Sequence, residues 1–141
     1  MFFATNWHIK IWYKMNMYNG LTLAYLGDAI WEIKVREHLM ETGLTKVNDL
    51  HRLAIKFTSA NGEANIIDRL VSECLSDAEI EIYKRGRNAE STHKPKNADL
   101  GTYHRATGFE ALIGYLYLEK TFARMDEIVT ISIHIIEETL A

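Results

Sequence analysis

The chain of 141 residues holds a single proline, Pro95, and a single cysteine, Cys74. One thiol excludes an internal disulfide and agrees with a reducing, cytoplasmic setting. Cys74 lies in RLVSECLSDAEIE near the end of an expected helix and reads as a structural thiol rather than a nucleophile. No apolar run approaches the roughly 20 residues that span a bilayer, so a membrane partner is not expected. There is no GxSxG elbow and no GxxxxGKS/T loop, which removes serine-hydrolase and P-loop chemistry. The six histidines (His8, His38, His51, His93, His104 and His134) share no zinc-site spacing, and no cysteine pair accompanies them. A strong excess of one charge is missing too: the net charge is −3, so the molecule as a whole is no polycation.

What the chain does have is helical spacing almost everywhere, which predicts an all-α fold. Leu23, Leu26, Ile30, Ile33 and Leu39 mark a first helix over about 21–40 that ends near Gly43. A second, over about 47–57, puts Val47, Leu50, Leu53 or Ala54, and Phe57 on one face, and a third covers about 59–75. Ser76 followed by Glu79 reads as a capping box opening a fourth helix, SDAEIEIYKRGR, which Gly86 should stop. NAESTHKPKNADLGT is rich in turn formers and reads as an exposed loop. A fifth helix over about 103–119 turns Phe109, Leu112, Ile113 and Leu116 inward, and a last one over about 123–139 presents Ile128, Ile131, Ile135 and Ile136. With 48% hydrophobic residues the chain can bury one substantial core. The domain is placed at 19–141, behind an aromatic-rich extension at 1–18 that holds Phe2, Phe3, Trp7, Trp12, Tyr13 and Tyr18 and no acid. The extension either covers an apolar patch or partner subunit, or reflects a start codon upstream of Met15 or Met17.

Two acids break the apolar pattern: Asp28 in LAYLGDAIWE and Glu110 in GFEALIGYLYLE. A carboxylate withdrawn from water is costly unless it is paired, hydrogen-bonded or coordinated, and two converging carboxylates repel each other as well. A divalent cation resolves both problems. Gly27 and Ala29 flank the first acid and Ala106, Thr107 and Gly114 lie a turn from the second, so small residues would let two helices approach closely enough for both acids to reach one ion.

LAYLGDAIWEIKVREHL resembles the first signature block of the ribonuclease III catalytic domain, and FEALIGYLYLEK its second acidic block, in the expected order and separation. KRGRNAESTHKPKNADLGTYHRATGFEALIGYLYLE is closer still to the small bacterial subclass called Mini-ribonuclease III, which lacks an appended double-stranded RNA-binding domain. The similarity covers about 19–124. It implies a helical, homodimeric endonuclease domain with Asp28 and Glu110 as catalytic metal ligands. Larger members of the family carry further acids one turn earlier, where this chain has Ala24 and Thr107. The departure implies that water, Thr107 or substrate phosphate oxygens complete the shell, as is ordinary for Mg²⁺.

The reaction so implied is Mg²⁺-dependent hydrolysis of double-stranded RNA, with Mn²⁺ able to substitute, leaving 5′-phosphate and 3′-hydroxyl ends. The implied substrate is 23S ribosomal RNA precursor. Between residues 84 and 105 six cations face only Glu90 and Asp99, so this segment is basic although the chain is not. Lys84, Arg85, Arg87, Lys94, Lys96 and Arg105, with Asn88, Asn97, Tyr103 and His104 as further donors, suit the phosphates and 2′-hydroxyls by which duplex RNA is recognised. Two other readings stay open at this point: a non-catalytic RNA-binding or ribosome-assembly module of the same fold, and a structural helical dimer whose acids only hydrogen-bond internally.

Overall fold

The computed structural model describes residues 18–90 and 99–141, and within them every regular element is α-helical. In chain order these are α1 (Gly20–Glu41), α2 (Val47–Thr58), α3 (Ala60–Glu73), α4 (Asp77–Arg87), α5 (Leu100–Leu118) and α6 (Phe122–Leu140). The segments 1–17 and 91–98, and with them Lys94, Lys96, Asn97 and nearly all of the aromatic extension, lie outside the described residues.

Local chemistry sets most boundaries. Asn19 caps α1 by accepting from the Thr22 amide at 2.8 Å, and Gly43, in the left-handed region at φ 94°, turns the chain out of it. The capping box of α4 forms as expected: the Ser76 amide donates to Glu79 Oε1 at 2.9 Å and the Glu79 amide donates to Ser76 Oγ at 3.2 Å. α5 starts earlier than its apolar period indicates, because Asp99 accepts from both the amide and the hydroxyl of Thr102, at 2.7 and 2.9 Å. Gly86 does not stop α4. It lies inside the helix, where an added Cβ would come within 2.6 Å of Ala111 Cβ and 2.9 Å of Gly108 Cα, and the helix ends one residue later at an Asn88 cap. Its role is close packing rather than termination.

α5 is the central helix, wrapped by α1, α3, α4 and α6. Apolar on nearly every side, it suits a position enclosed by neighbours. Phe109, Leu112 and Ile113 are fully buried, as are Trp31 and Val35 of α1, Ile66, Ile67 and Leu70 of α3 and Ile128 of α6. The Trp31 indole packs edge-on against Phe109 at 5.1 Å and donates Nε1–H to the Phe57 carbonyl at 3.1 Å, joining α1, α2 and α5 at one point. Two residues of the apolar period point outward: Ile33, which marks the first helix, is 55% exposed, and Val47, which shares a face with Phe57 by spacing, is 76% exposed. Periodicity finds apolar side chains; it does not say which of two apolar faces is the interior.

Arg124, at the start of α6, grips Glu79 with two hydrogen bonds of 2.8 and 2.9 Å and the Cys74 carbonyl with a third of 2.8 Å. The Arg124 guanidinium holds the Glu79 carboxyl below its usual range. Glu79 thus serves the α4 capping box and the α4–α6 contact together. Removing the cation strands a nearly buried carboxylate, so Arg124→Ala should lower stability by about 2 kcal/mol, less than for a fully buried pair because the arginine is partly solvated. Urea denaturation at neutral pH measures it; an unchanged midpoint would show that the pair contributes nothing.

Candidate metal centre

α1 and α5 cross where Gly27 meets Glu110 and Gly114 meets Leu23. A Cβ on Gly27 would collide with the Glu110 carbonyl, and a Cβ on Gly114 would collide with the Leu23 carbonyl. Backbone therefore lies on backbone, and the residue after Gly27 in α1 comes beside the acid of α5. Asp28 and Glu110 meet as the sequence indicated, and a third carboxylate joins them. Oxygens of Asp28, Glu63 and Glu110 all lie within 4.8 Å of one another.

Glu63 was missed in the sequence reading. It stands in the first turn of α3, behind the Ser59 cap, and is 1% exposed. With Ile66, Ile67 and Leu70 it occupies positions i, i+3, i+4 and i+7 of one stripe, so the signal was the same as for Asp28 and Glu110: an acid on an apolar face. Proximity to a helix start masked it, because acids are ordinary there.

The three acids lack a neutralising partner, as no ion pair reaches any of them among the described residues. Burial raises the Asp28 carboxyl, and the charge on Glu32 adds to the effect. Glu110 is pushed up to about 7, chiefly by burial and further by the Asp28 charge, while a hydrogen bond with Glu63 opposes the rise. Glu63 is held well above the usual carboxylate range by burial first, then by Glu110, Asp28 and Glu32. Glu63 Oε1 is buried without any hydrogen-bond partner. Such an arrangement attracts protons at low pH and a hard divalent cation at neutral pH, since oxygen donors of this kind suit Mg²⁺.

A pH dependence follows. A folded-state pKa raised from 4.5 to about 7 means that Glu110 favours the folded metal-free protein fully below pH 4.5, and that this support is lost as pH rises to 7. The loss is on the order of 3 kcal/mol for that group. Melting in EDTA should show stability from this site falling between those values, and Asp28→Asn should flatten the fall; a wild-type profile insensitive to that substitution would contradict it.

Thr107, named as support for a metal shell, is buried and donates its hydroxyl to the Tyr103 carbonyl at 3.0 Å. Ala24, one turn before Asp28, is buried and has no ligand atom in its side chain. Of the basic residues, Lys84, Arg85 and Arg87 share the end of α4 with the Asn88 cap, and Gly86 among them lies against the Thr107–Ala111 stretch of α5 that carries Glu110. Lys84 pairs with Glu81 at 3.8 Å. Arg85 donates to the Tyr18 carbonyl at 2.5 Å, tying the start of the described chain to α4. Arg87 lies 5.4 Å from the Tyr83 ring and donates to Asn88 Oδ1 at 3.0 Å. Tyr103 and His104 are half-buried with their rings 6.0 Å apart, and Arg105 sits 3.2 Å from Asp68 of α3. Burial pushes the Cys74 thiol up, away from a reactive thiolate.

Residues 21–121 match the family model of the ribonuclease III domain. The chain is 47% identical over 122 residues to the Mini-ribonuclease 3 of Enterococcus faecalis, covering 86% of this chain and 92% of that one. It is 44% identical to the Mini-ribonuclease 3 of Streptococcus pneumoniae over 87% of this chain and 97% of that one. The Staphylococcus aureus Mini-ribonuclease 3 is 40% identical over 93% and 94% respectively. Among solved structures, the crystal structure of a Fusobacterium nucleatum protein superposes with a TM-score of 0.75 at 30% identity, over 84% of this chain and 93% of the other.

Proposed function

The chain belongs to the ribonuclease III family, and from that premise we propose that it is a Mg²⁺-dependent endoribonuclease that cleaves double-stranded RNA, with Mn²⁺ able to replace Mg²⁺. The observation that carries the metal assignment is the convergence of Asp28 and Glu110 at a backbone-to-backbone helix crossing with no protein cation to balance them. We assign the catalytic domain to 19–141.

Asp28 and Glu110 hold the ion. When bound, it would lower the pKa of a water and neutralise charge developing on the scissile phosphate. The chain supplies the rest. α1 and α5 fix the two carboxylates on rigid helices, Glu110 half-buried and Asp28 at the exposed edge of the site, open to solvent and to an incoming ligand. The Thr107 hydroxyl, its proton committed to a backbone carbonyl, keeps lone pairs to offer a ligand water. Lys84, Arg85, Arg87 and Asn88 stand at the end of α4, the helix whose Gly86 packs on α5, and are assigned to phosphate contacts, together with Tyr103, His104, Arg105 and, in the segment 91–98, Lys94, Lys96 and Asn97. Products would carry 5′-phosphate and 3′-hydroxyl ends. Two copies in a homodimer would address the two strands, and the substrate would be a structured stem of 23S ribosomal RNA precursor in the cytoplasm. Among the described residues no helix is long and apolar enough to cross a membrane.

Incubating the protein with duplex RNA in Mg²⁺, in Ca²⁺ and in EDTA tests the reading; fragments are expected in Mg²⁺ alone, and intact duplex in all three would leave only an RNA-binding module. Binding in Ca²⁺ should weaken with salt at a log–log slope of about −0.9 per phosphate neutralised in a B-form duplex, and each of Lys84→Ala and Arg87→Ala should make the slope shallower by about 1. A slope unchanged by both would place the RNA elsewhere.

A further inference from the structure

We propose that Glu63 is a third protein ligand of the divalent cation, so that the ion is caged by carboxylates from three helices before RNA arrives; this rests on the metal reading given above. The argument is geometric. Glu63 brings an oxygen within 4.8 Å of both Asp28 and Glu110 from α3, an element that neither the α1 nor the α5 acid belongs to. Oxygens each about 2.1 Å from one Mg²⁺ lie about 3.0 Å apart when adjacent and about 4.2 Å when opposite, so the three carboxylates need only a small inward adjustment to share it. Its Oε1 is buried and satisfied by nothing in the protein, which costs roughly 1 to 3 kcal/mol for a neutral group and more for a charged one. The side chain cannot relieve that cost by swinging into water, because it is 1% exposed and flanked on its stripe by Ile66 and Ile67, which are fully buried.

Glutamate also has no evident structural purpose there. It misses the capping-box position: Ser59 caps α3 by accepting from the Gly62 amide at 3.1 Å, and the Glu63 amide goes to the Ser59 carbonyl at 2.9 Å, so the carboxylate plays no part in the cap. Ala24 and Thr107, one turn before the other two acids, add no carboxylate of their own. A third anion therefore converts a two-carboxylate site, which depends on substrate phosphate to complete the shell, into one with appreciable affinity in the free protein.

The competing role is positioning, in which a neutral Glu63 carboxyl donates a hydrogen bond to Glu110. Glu63→Gln separates the two, since the amide can still donate but brings no charge. Mn²⁺ binding to the RNA-free protein, followed by electron paramagnetic resonance and calorimetry, should weaken at least tenfold in Glu63→Gln, while Glu63→Asp recovers part of the affinity. The metal-free Glu63→Gln protein should melt close to the wild type, because the amide keeps the shape of the carboxyl and can still donate to Glu110, which shows that the variant folds. Mn²⁺ affinity unchanged in Glu63→Gln overturns the ligand role and leaves Asp28 and Glu110 standing. A wild-type protein that binds no Mn²⁺, with or without duplex RNA, overturns the metal reading itself and Glu63 with it.

Discussion

Asp28→Asn and Glu110→Gln are each expected to lower the rate of duplex RNA cleavage by about 10³-fold or more, the equivalent of the several kcal/mol that a catalytic metal contributes to the transition state. Both substitutions preserve shape and remove one negative charge from a site that holds three acids. Fold and RNA affinity should survive. The metal-free variants should even melt slightly higher than the wild type, because Asp28 raises the cost of ionising Glu110, both raise that of Glu63, and one of these charges is gone. Adding Mg²⁺ should then raise the melting temperature of the wild type by mass action and raise that of either variant much less. Single-turnover cleavage with saturating enzyme separates chemistry from binding. Near-normal turnover of either variant in saturating Mg²⁺ would remove that residue from the catalytic metal site, and normal turnover of both would return the reaction to another part of the molecule.

The same two acids show how far the sequence could be read. Asp28 and Glu110 stand out because each interrupts an apolar stretch, and the structure brings them together at the helix crossing that Gly27 and Gly114 make possible. The capping box at Ser76 and Glu79 was legible for a related reason, being a local hydrogen-bond exchange that needs no tertiary partner. What escaped depends on the third dimension. Glu63 carried the same apolar-face signal but sat where helices commonly begin with acids, and only the docking of α3 on α5 reveals that it points inward. Gly86 looks like a helix stop in one dimension and proves to be the contact through which α4 lies on α5. Ile33 marks the apolar period of α1 yet is exposed, because the apolar and charged residues of α1 are not sorted to opposite sides and no period selects its inner face. It lines an open cleft with Leu26, Tyr117, Phe122 and Met125, an apolar surface between α1 and the α5–α6 turn that no pattern within α1 could distinguish from the core.

Gly27→Ala tests the physical basis of the site without touching a carboxylate. The new methyl would occupy the position of the Glu110 backbone carbonyl, and neither helix backbone can yield as a flexible side chain would. α1 and α5 must separate, and with them the packing of Trp31 on Phe109 must loosen. Overpacking in cores commonly costs 1 to 3 kcal/mol, and a collision with backbone belongs at the upper end, so a loss of about 3 kcal/mol or more is expected. Gly101→Ala is the control: in the exposed first turn of α5 the nearest atom to the added Cβ would be Asp99 Oδ1 at an ordinary 3.4 Å, and the substitution should stabilise by roughly 0.5 kcal/mol through the unfolded chain. The two alanines thus have opposite signs although both replace a helical glycine. Separation of α1 from α5 also moves Asp28 away from Glu110, so the rise in melting temperature on adding Mg²⁺ should shrink in Gly27→Ala and persist in Gly101→Ala. A Gly27→Ala protein with wild-type stability and an undiminished Mg²⁺ response would mean that the crossing is looser than its backbone contacts indicate, and that close approach of the helices is not what assembles the acids.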